Sequence, residues 1–121
     1  MKIELNWVTM PDWYRAGFVG LSKSNGLFRV RLHGETVFLG YAETGGLTAR
    51  LRAYKSPKGT GQNHHAGRLI YERRADVEMQ IAVIAAPPEQ IHQLYEAERR
   101  KCEPPWNVAD ERSAGRKRVR N

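Results

Sequence analysis

The residues that decide the fold are Gly26-Leu-Phe-Arg-Val-Arg-Leu32, His33-Gly-Glu35 and Thr36-Val-Phe-Leu-Gly-Tyr41. The first run alternates apolar and basic residues, the middle three residues are typical of a turn, and the last run is again apolar. Two such runs joined by a short turn predict a β-hairpin.

On both sides of the hairpin the chain divides into short segments. In chain order the sequence predicts an edge strand over residues 3–8, the hairpin over 26–41, a short helix over 44–54, a loop over 55–63, a second short helix over 66–74, a strand over 77–84 and a helix over 89–102 that Pro104-Pro105 ends. This order predicts an α/β (α+β) domain, a small mixed sheet with helices packed on it.

Length and composition describe one folded domain. A chain of 121 residues, 40% apolar and 27% charged, has room for a single core and lies in the globular range. No segment approaches the ~20 apolar residues of a membrane span, and residues 1–8 lack an export signal's apolar run, so we expect a cytoplasmic protein and no membrane partner. The lone Cys102 cannot form an internal disulfide.

The net charge of +7 is unevenly distributed. In residues 111–121 five bases against Glu111 give +4, which leaves +3 for the rest of the chain. Inside the fold, the stretch from Thr44 to Tyr71 contains no acid and holds Arg50, Arg52, Lys55, His64, His65, Lys58 and Arg68. Such a patch creates a positive field in which backbone phosphates bind, and it predicts nucleic acid as the partner.

Two charges fall within apolar helical stripes. Arg50 lies between Leu47 and Tyr54, and Glu98 lies in the stripe of the last helix. A charged side chain on such a stripe either extends to water at its edge or faces a partner. A carboxylate that faces bases and histidines supplies the groups that phosphodiester hydrolysis needs. The carboxylate can bind Mg²⁺, and an Arg can neutralise the charge of the phosphate.

Residues 26–107 resemble the GIY-YIG nuclease superfamily in the order and spacing of their motifs. The matching segments are Gly26-Leu-Phe28, Phe38-Leu-Gly40, Leu47-Thr-Ala-Arg50-Leu-Arg52, His65-Ala-Gly-Arg-Leu-Ile70 and Glu103-Pro-Pro-Trp-Asn107. The resemblance implies a three-stranded antiparallel sheet flanked by helices, one divalent cation (Mg²⁺ or Mn²⁺) held by a single Glu, and hydrolysis of DNA. Arg50 matches the family's catalytic arginine and would stabilise the scissile phosphate.

The remaining site residues follow partly from the resemblance and partly from the residues themselves. Phe28 and Phe38 replace both signature tyrosines, so a hydroxyl or imidazole would have to come from Tyr41, Tyr54, His64 or His65. For the metal ligand, the helical stripe favours Glu98, whereas counting back from Asn107 comes nearer to Glu96. Gly40 and Asn107 would support the site. Independently of the resemblance, the acid-free basic stretch predicts that Arg52, Lys55, Lys58 and Arg68 bind the nucleic-acid backbone.

We expect residues 26–108 to form the nuclease-like domain, with residues 1–25 as an N-terminal extension that adds a strand and residues 109–121 as a basic, disordered tail. The predicted function is a divalent-metal-dependent DNA endonuclease. The alternatives are a non-catalytic nucleic-acid-binding module, in which Phe28 and Phe38 are core residues or stack on bases, and a protein-interaction or accessory factor. A domain this small would need a homodimer, a partner protein or its own extensions for specificity.

Overall fold

The computed structural model describes residues 4–11, 13–14, 24–55 and 65–109. In chain order the elements are β1 (Val8–Thr9), β2 (Gly26–Leu32), β3 (Glu35–Ala42), α1 (Leu47–Lys55), α2 (His65–Glu72), β4 (Glu78–Val83) and α3 (Pro88–Cys102). A further helical turn covers residues 105–109. Within these residues, no helix is long and apolar enough to cross a membrane.

The predicted hairpin forms the centre and one edge of the sheet. Strands β2 and β3 pair antiparallel from Gly26 opposite Ala42 to Leu32 opposite Glu35. The two turn residues, His33 and Gly34, have positive φ values of 52° and 82°, as a two-residue hairpin turn of the primed type requires. Gly26 is obligatory because a Cβ there would lie 2.1 Å from the Ala82 carbonyl oxygen.

The sheet has four strands in the order β1-β4-β2-β3. The three strands from β2 to β4 pair antiparallel, which confirms the antiparallel sheet that the resemblance implies. The pairing of β1 with β4 is antiparallel as well, so the mixed sheet expected from element order alone is wrong. The fourth strand comes from the N-terminal extension, at Val8–Thr9 rather than at residues 3–8. The extension is therefore part of the sheet, and its Trp13 is buried in the core.

Helices cover both faces of the sheet. On one face α1 and α2 pack over a core that includes Phe28, Val30, Phe38, Leu51 and Ile70. On the other face α3 packs through Ile91 against Leu27, Leu39 and Ile84. Because side chains alternate along a strand, β3 sends Phe38 toward α1 and its neighbour Leu39 toward α3. The edge of β3 thus lies between the two helical layers.

The structure sets the element ends as follows. Helix α1 begins at Leu47 rather than at Thr44, α2 ends at Glu72, and α3 begins at Pro88. Apart from Lys55, the predicted loop lies outside the described residues, as does the tail beyond residue 109.

Candidate phosphate-binding site

A small cavity of about 160 Å³ lies over the edge of β3, between α1 and α3. Its lining comes from both helical layers and from the turn at residues 105–109. The lining residues are Phe28, Phe38, Leu39, Gly40, Tyr41, Arg50, Tyr54, Tyr95 and Asn107. The structure therefore brings together Arg50, Tyr54, Tyr41, both phenylalanines, Gly40 and Asn107 from the residues that the sequence singled out.

Helix α1 positions Arg50. Its start is tied to the entry of β2, because Gly46 N–H donates to Asn25 Oδ1 at 3.0 Å and Leu47 N–H donates to the Ser24 carbonyl at 2.7 Å. Leu47 and Leu51 are fully buried and fix the rotation of the helix. Arg50 then lies at the edge of the apolar stripe, where its side chain is exposed and lines the cavity.

Phe28, Phe38 and Tyr54 form an aromatic cluster beneath Arg50. The Tyr54 ring lies 5.7 Å from the Phe28 ring and 6.0 Å from the Phe38 ring. Both phenylalanines are almost completely buried, so the structure favours the core interpretation over base stacking for them. Gly40 is required here because a Cβ at this position would lie 2.2 Å from Cζ of Phe28.

Asn107 closes the β3 edge beside the cavity. Its Oδ1 accepts a hydrogen bond from Leu39 N–H at 2.7 Å, and its Nδ2 donates to the Leu39 carbonyl at 2.8 Å. The side-chain amide thereby replaces a neighbouring strand at this residue. Asn107 is buried and holds the 105–109 turn against β3.

Glu98 does not reach the Arg50 cavity. Tyr95 and Glu98 are three residues apart and so lie about 60° from each other around α3, on opposite flanks of buried Ile91. Tyr95 faces the cavity, whereas Glu98 lines a separate groove of about 880 Å³ between α3 and residues 4–7. Glu98 thus lies on the half-buried face of α3, but on the flank of that face that points away from the Arg50 cavity.

The cations near Glu98 are also different ones. Lys101 Nζ lies 3.4 Å from Glu98 Oε1. Arg29 of β2 stacks on the Trp7 ring at 4.3 Å and donates to Gln80 Oε1 at 2.6 Å. Burial lowers the pKa of Arg29 and the charge of Arg31 lowers it further, while the Glu98 carboxylate is among the groups that raise it. The cations that interact with the Glu98 carboxylate are therefore Lys101 and Arg29.

Glu96 is also outside the cavity lining, but it is linked to it through a histidine. His92 Nε2 lies 2.6 Å from Glu96 Oε1, one helical turn along α3. His92 Nδ1 lies 3.1 Å from the Tyr41 hydroxyl, and Tyr41 lines the cavity. Sequence reasoning missed His92, although its i, i+4 spacing to Glu96 was a readable signal.

The remaining predicted site residues are the four assigned to backbone binding and the two histidines assigned to catalysis. Arg52 of α1 and Arg68 of α2 are exposed and do not line the cavity. Lys55 ends α1 and His65 begins α2, but their side chains are outside the description. Lys58 and His64 lie outside the described residues.

Comparison with known proteins bears on the fold. The chain is similar in structure to the GIY-YIG N-terminal endonuclease domain of UvrC from Thermotoga maritima, solved bound to its catalytic divalent cation, magnesium. The TM-score is 0.58 at 17% sequence identity, over 80% of this chain and 98% of that one. The chain has a GIY-YIG-like fold. No protein-family model matches it, and no curated protein matches its sequence.

The GIY-YIG-like fold raises the question of a metal at the Arg50 cavity. Of the described residues that line it, none is a carboxylate, and both ends of the Asn107 amide are bonded to Leu39. Nor do the described residues contain a group of three His, Cys, Asp or Glu that could hold a metal ion. Mg²⁺ requires oxygen ligands with at least one carboxylate in most protein sites. The described cavity does not fit it.

Proposed function

We propose that this chain is a nucleic-acid-binding module with a GIY-YIG-like fold, which holds a backbone phosphate at Arg50 without a divalent metal. The observation that carries the proposal is the composition of the cavity. Arg50 and three tyrosines line it, and none of its described lining residues is acidic. A cation in such surroundings attracts an anion, because none of these described lining residues carries a negative charge that competes for it.

The cavity offers further donors for a phosphate oxygen. The Leu39 backbone groups point away from β2 to Asn107, and residues two apart in a strand point the same way. The Tyr41 N–H therefore also faces the β3 edge beside the cavity. Small-molecule sites usually exceed about 300 Å³, so a cavity of about 160 Å³ suits one charged group presented by a polymer.

Positive charges around the cavity would attract the nucleic-acid backbone on either side of the phosphate bound at Arg50. Arg52 and Arg68 are exposed on the layer that carries Arg50. The total charge of +7 adds a long-range attraction for polyanions such as DNA in the cytoplasm. Contacts of this kind position a nucleic acid without reading its sequence. We therefore propose sequence-independent binding, with specificity supplied by a second copy or a partner protein.

A metal-dependent DNA endonuclease is the second candidate, and the observation that favours it is the fold itself. The UvrC domain of the same fold is an endonuclease bound to magnesium. In this chain a Mg²⁺ or Mn²⁺ site near Arg50 would need a carboxylate that the described lining does not supply. One experiment, the measurement of oligonucleotide binding and cleavage with and without Mg²⁺, separates the two candidates.

That experiment is oligonucleotide binding measured by fluorescence anisotropy in EDTA, with single-stranded, duplex and branched DNA. Arg50→Ala is compared with Arg73→Ala, which removes an exposed arginine from the turn after α2. A charge-assisted hydrogen bond contributes about 1.5–3 kcal/mol, so Arg50→Ala should weaken binding about tenfold or more, and Arg73→Ala much less.

Wild-type affinity should also fall steeply with salt, as phosphate contacts require. Equal binding by the Arg50→Ala variant, or affinity insensitive to salt, contradicts the proposal, and the latter favours a protein-interaction factor. Cleavage that requires Mg²⁺ and is lost in Glu98→Ala or Glu96→Ala supports the endonuclease instead.

A further inference from the structure

Three side chains beside the Arg50 cavity form a hydrogen-bonded chain. The Tyr41 hydroxyl of β3 lies 3.1 Å from His92 Nδ1, and His92 Nε2 lies 2.6 Å from Glu96 Oε1. His92 and Glu96 are both on α3, four residues apart, so the helix fixes their separation. The Tyr41 ring is held between β3 and α3, 4.4 Å from the Tyr95 ring.

The carboxylate decides the roles of the two imidazole nitrogens. Glu96 can only accept, so Nε2 carries the proton when His92 is neutral. Nδ1 then has a free lone pair and accepts from the Tyr41 hydroxyl. A hydroxyl that donates to an imidazole, which in turn is oriented by a carboxylate, is the arrangement that activates nucleophiles in enzymes.

We propose that Tyr41 is a metal-independent nucleophile toward the phosphodiester held at Arg50, with His92 as its base and Glu96 as a positioning residue for His92. The inference rests on the proposed function for the bound phosphate, and it goes beyond binding. The Tyr41 hydroxyl is hydrogen-bonded to an imidazole nitrogen, and Tyr41 lines the cavity. Arg50 lines the same cavity and would stabilise the charge that develops on the phosphate oxygens.

The step balances without a metal. The Tyr41 oxygen forms a bond to phosphorus while its proton passes to His92 Nδ1. The bond from phosphorus to one sugar oxygen breaks, and the departing oxygen takes the proton from His92. The products are a phosphotyrosyl ester on Tyr41 and one free sugar hydroxyl. Attack by the sugar hydroxyl or by water then releases the tyrosine.

The test uses the full chain in EDTA with two probes. The first is the same fluorescent DNA set, analysed on denaturing gels for a covalent protein–DNA adduct that mass spectrometry assigns to a residue. The second is thymidine 5′-p-nitrophenyl phosphate, a phosphodiester with a coloured leaving group. We expect an adduct on Tyr41 and an initial burst of one nitrophenolate per chain.

Variants assign the roles. Tyr41→Phe should abolish adduct and burst, whereas Tyr71→Phe, a tyrosine of α2 outside the site, should not. His92→Asn should slow the burst by about 10²-fold or more, the usual contribution of a general base. Glu96→Gln keeps an acceptor for Nε2–H and should retain more activity than Glu96→Ala. Melting temperatures check that each variant is folded.

The pH profile separates catalysis from structure. The titratable groups that contact His92 in the described chain are Tyr41 on β3 and Glu96 and Tyr95 on its own helix. The burst rate should fall as the solution is made more acidic, because a protonated imidazole cannot accept the Tyr41 proton, and this fall should vanish in His92→Asn.

Two results overturn the inference. Arg50-dependent DNA binding without adduct or burst leaves the proposed function intact and shows that Tyr41 is not a nucleophile. An adduct or burst that persists in Tyr41→Phe assigns the chemistry elsewhere. If DNA binding itself does not depend on Arg50, the proposed function fails, and the small phosphodiester still decides whether Tyr41 reacts.

Discussion

Replacing Asn107 with Ala should destabilise the fold more than any surface change. The amide makes two buried hydrogen bonds to one residue, 2.7 Å from Leu39 N–H and 2.8 Å to the Leu39 carbonyl. Alanine would leave both Leu39 groups without partners at a site where Asn107 is only 5% exposed. An unsatisfied buried polar group costs about 1–3 kcal/mol, so the two together predict a loss of about 2–6 kcal/mol in the free energy of unfolding.

Urea unfolding followed by circular dichroism measures this loss directly. For a domain of this size, 2 kcal/mol also lowers the melting temperature by about 8 °C or more. Asn6→Ala, at an exposed position, is the matched control and should change stability by less than about 0.5 kcal/mol. Asn107→Asp should also be destabilised, because a carboxylate oxygen would then face the Leu39 carbonyl. An Asn107→Ala variant whose free energy of unfolding lies within about 1 kcal/mol of wild type would show that the two bonds to Leu39 do not stabilise the fold as expected.

Three further predictions concern single residues. Gly40→Ala should cost about 1–3 kcal/mol in urea unfolding, because its Cβ would overlap the Phe28 ring at 2.2 Å; a neutral result would mean that the ring moves freely. Glu103 caps the C-terminus of α3 at φ 43°, a left-handed conformation that favours glycine. Glu103→Gly should therefore raise the free energy of unfolding in urea by about 0.5–1 kcal/mol, and a lower value than wild type would contradict the argument from backbone strain. Tyr95→Glu, which adds a carboxylate beside Arg50, should weaken oligonucleotide binding in EDTA, and added Mg²⁺ should restore it; unchanged anisotropy would show that Tyr95 does not face the bound phosphate.

Most of the sheet and the helices could be predicted from the sequence because their signals are local. Alternation from Gly26 to Tyr41 determines the hairpin, and helical spacing places Arg50 beside a buried stripe. The N-terminal strand was misplaced because a two-residue strand has no readable period. Its register depends on pairing with β4, more than 70 residues away.

The site was harder to predict because it joins both layers of the fold. Arg50 and Tyr54 could be read from α1 alone. For α3, periodicity identifies which residues face the sheet, but it does not tell which flank of the helix meets the β3 edge. Glu98 and Tyr95 both satisfy the stripe, and only the packing of Ile91 shows that Tyr95 lies on the cavity side. The bond between Tyr41 and His92 depends on the same packing.

We propose that the Arg50 cavity binds a phosphate without a divalent metal. The direct test is the affinity of EDTA-treated protein for a fluorescent oligonucleotide, measured as Mg²⁺ is titrated in at constant ionic strength. We expect binding that is complete before Mg²⁺ is added, that does not strengthen as Mg²⁺ is added, and that is lost in Arg50→Ala. Binding that appears only as Mg²⁺ is added would contradict it.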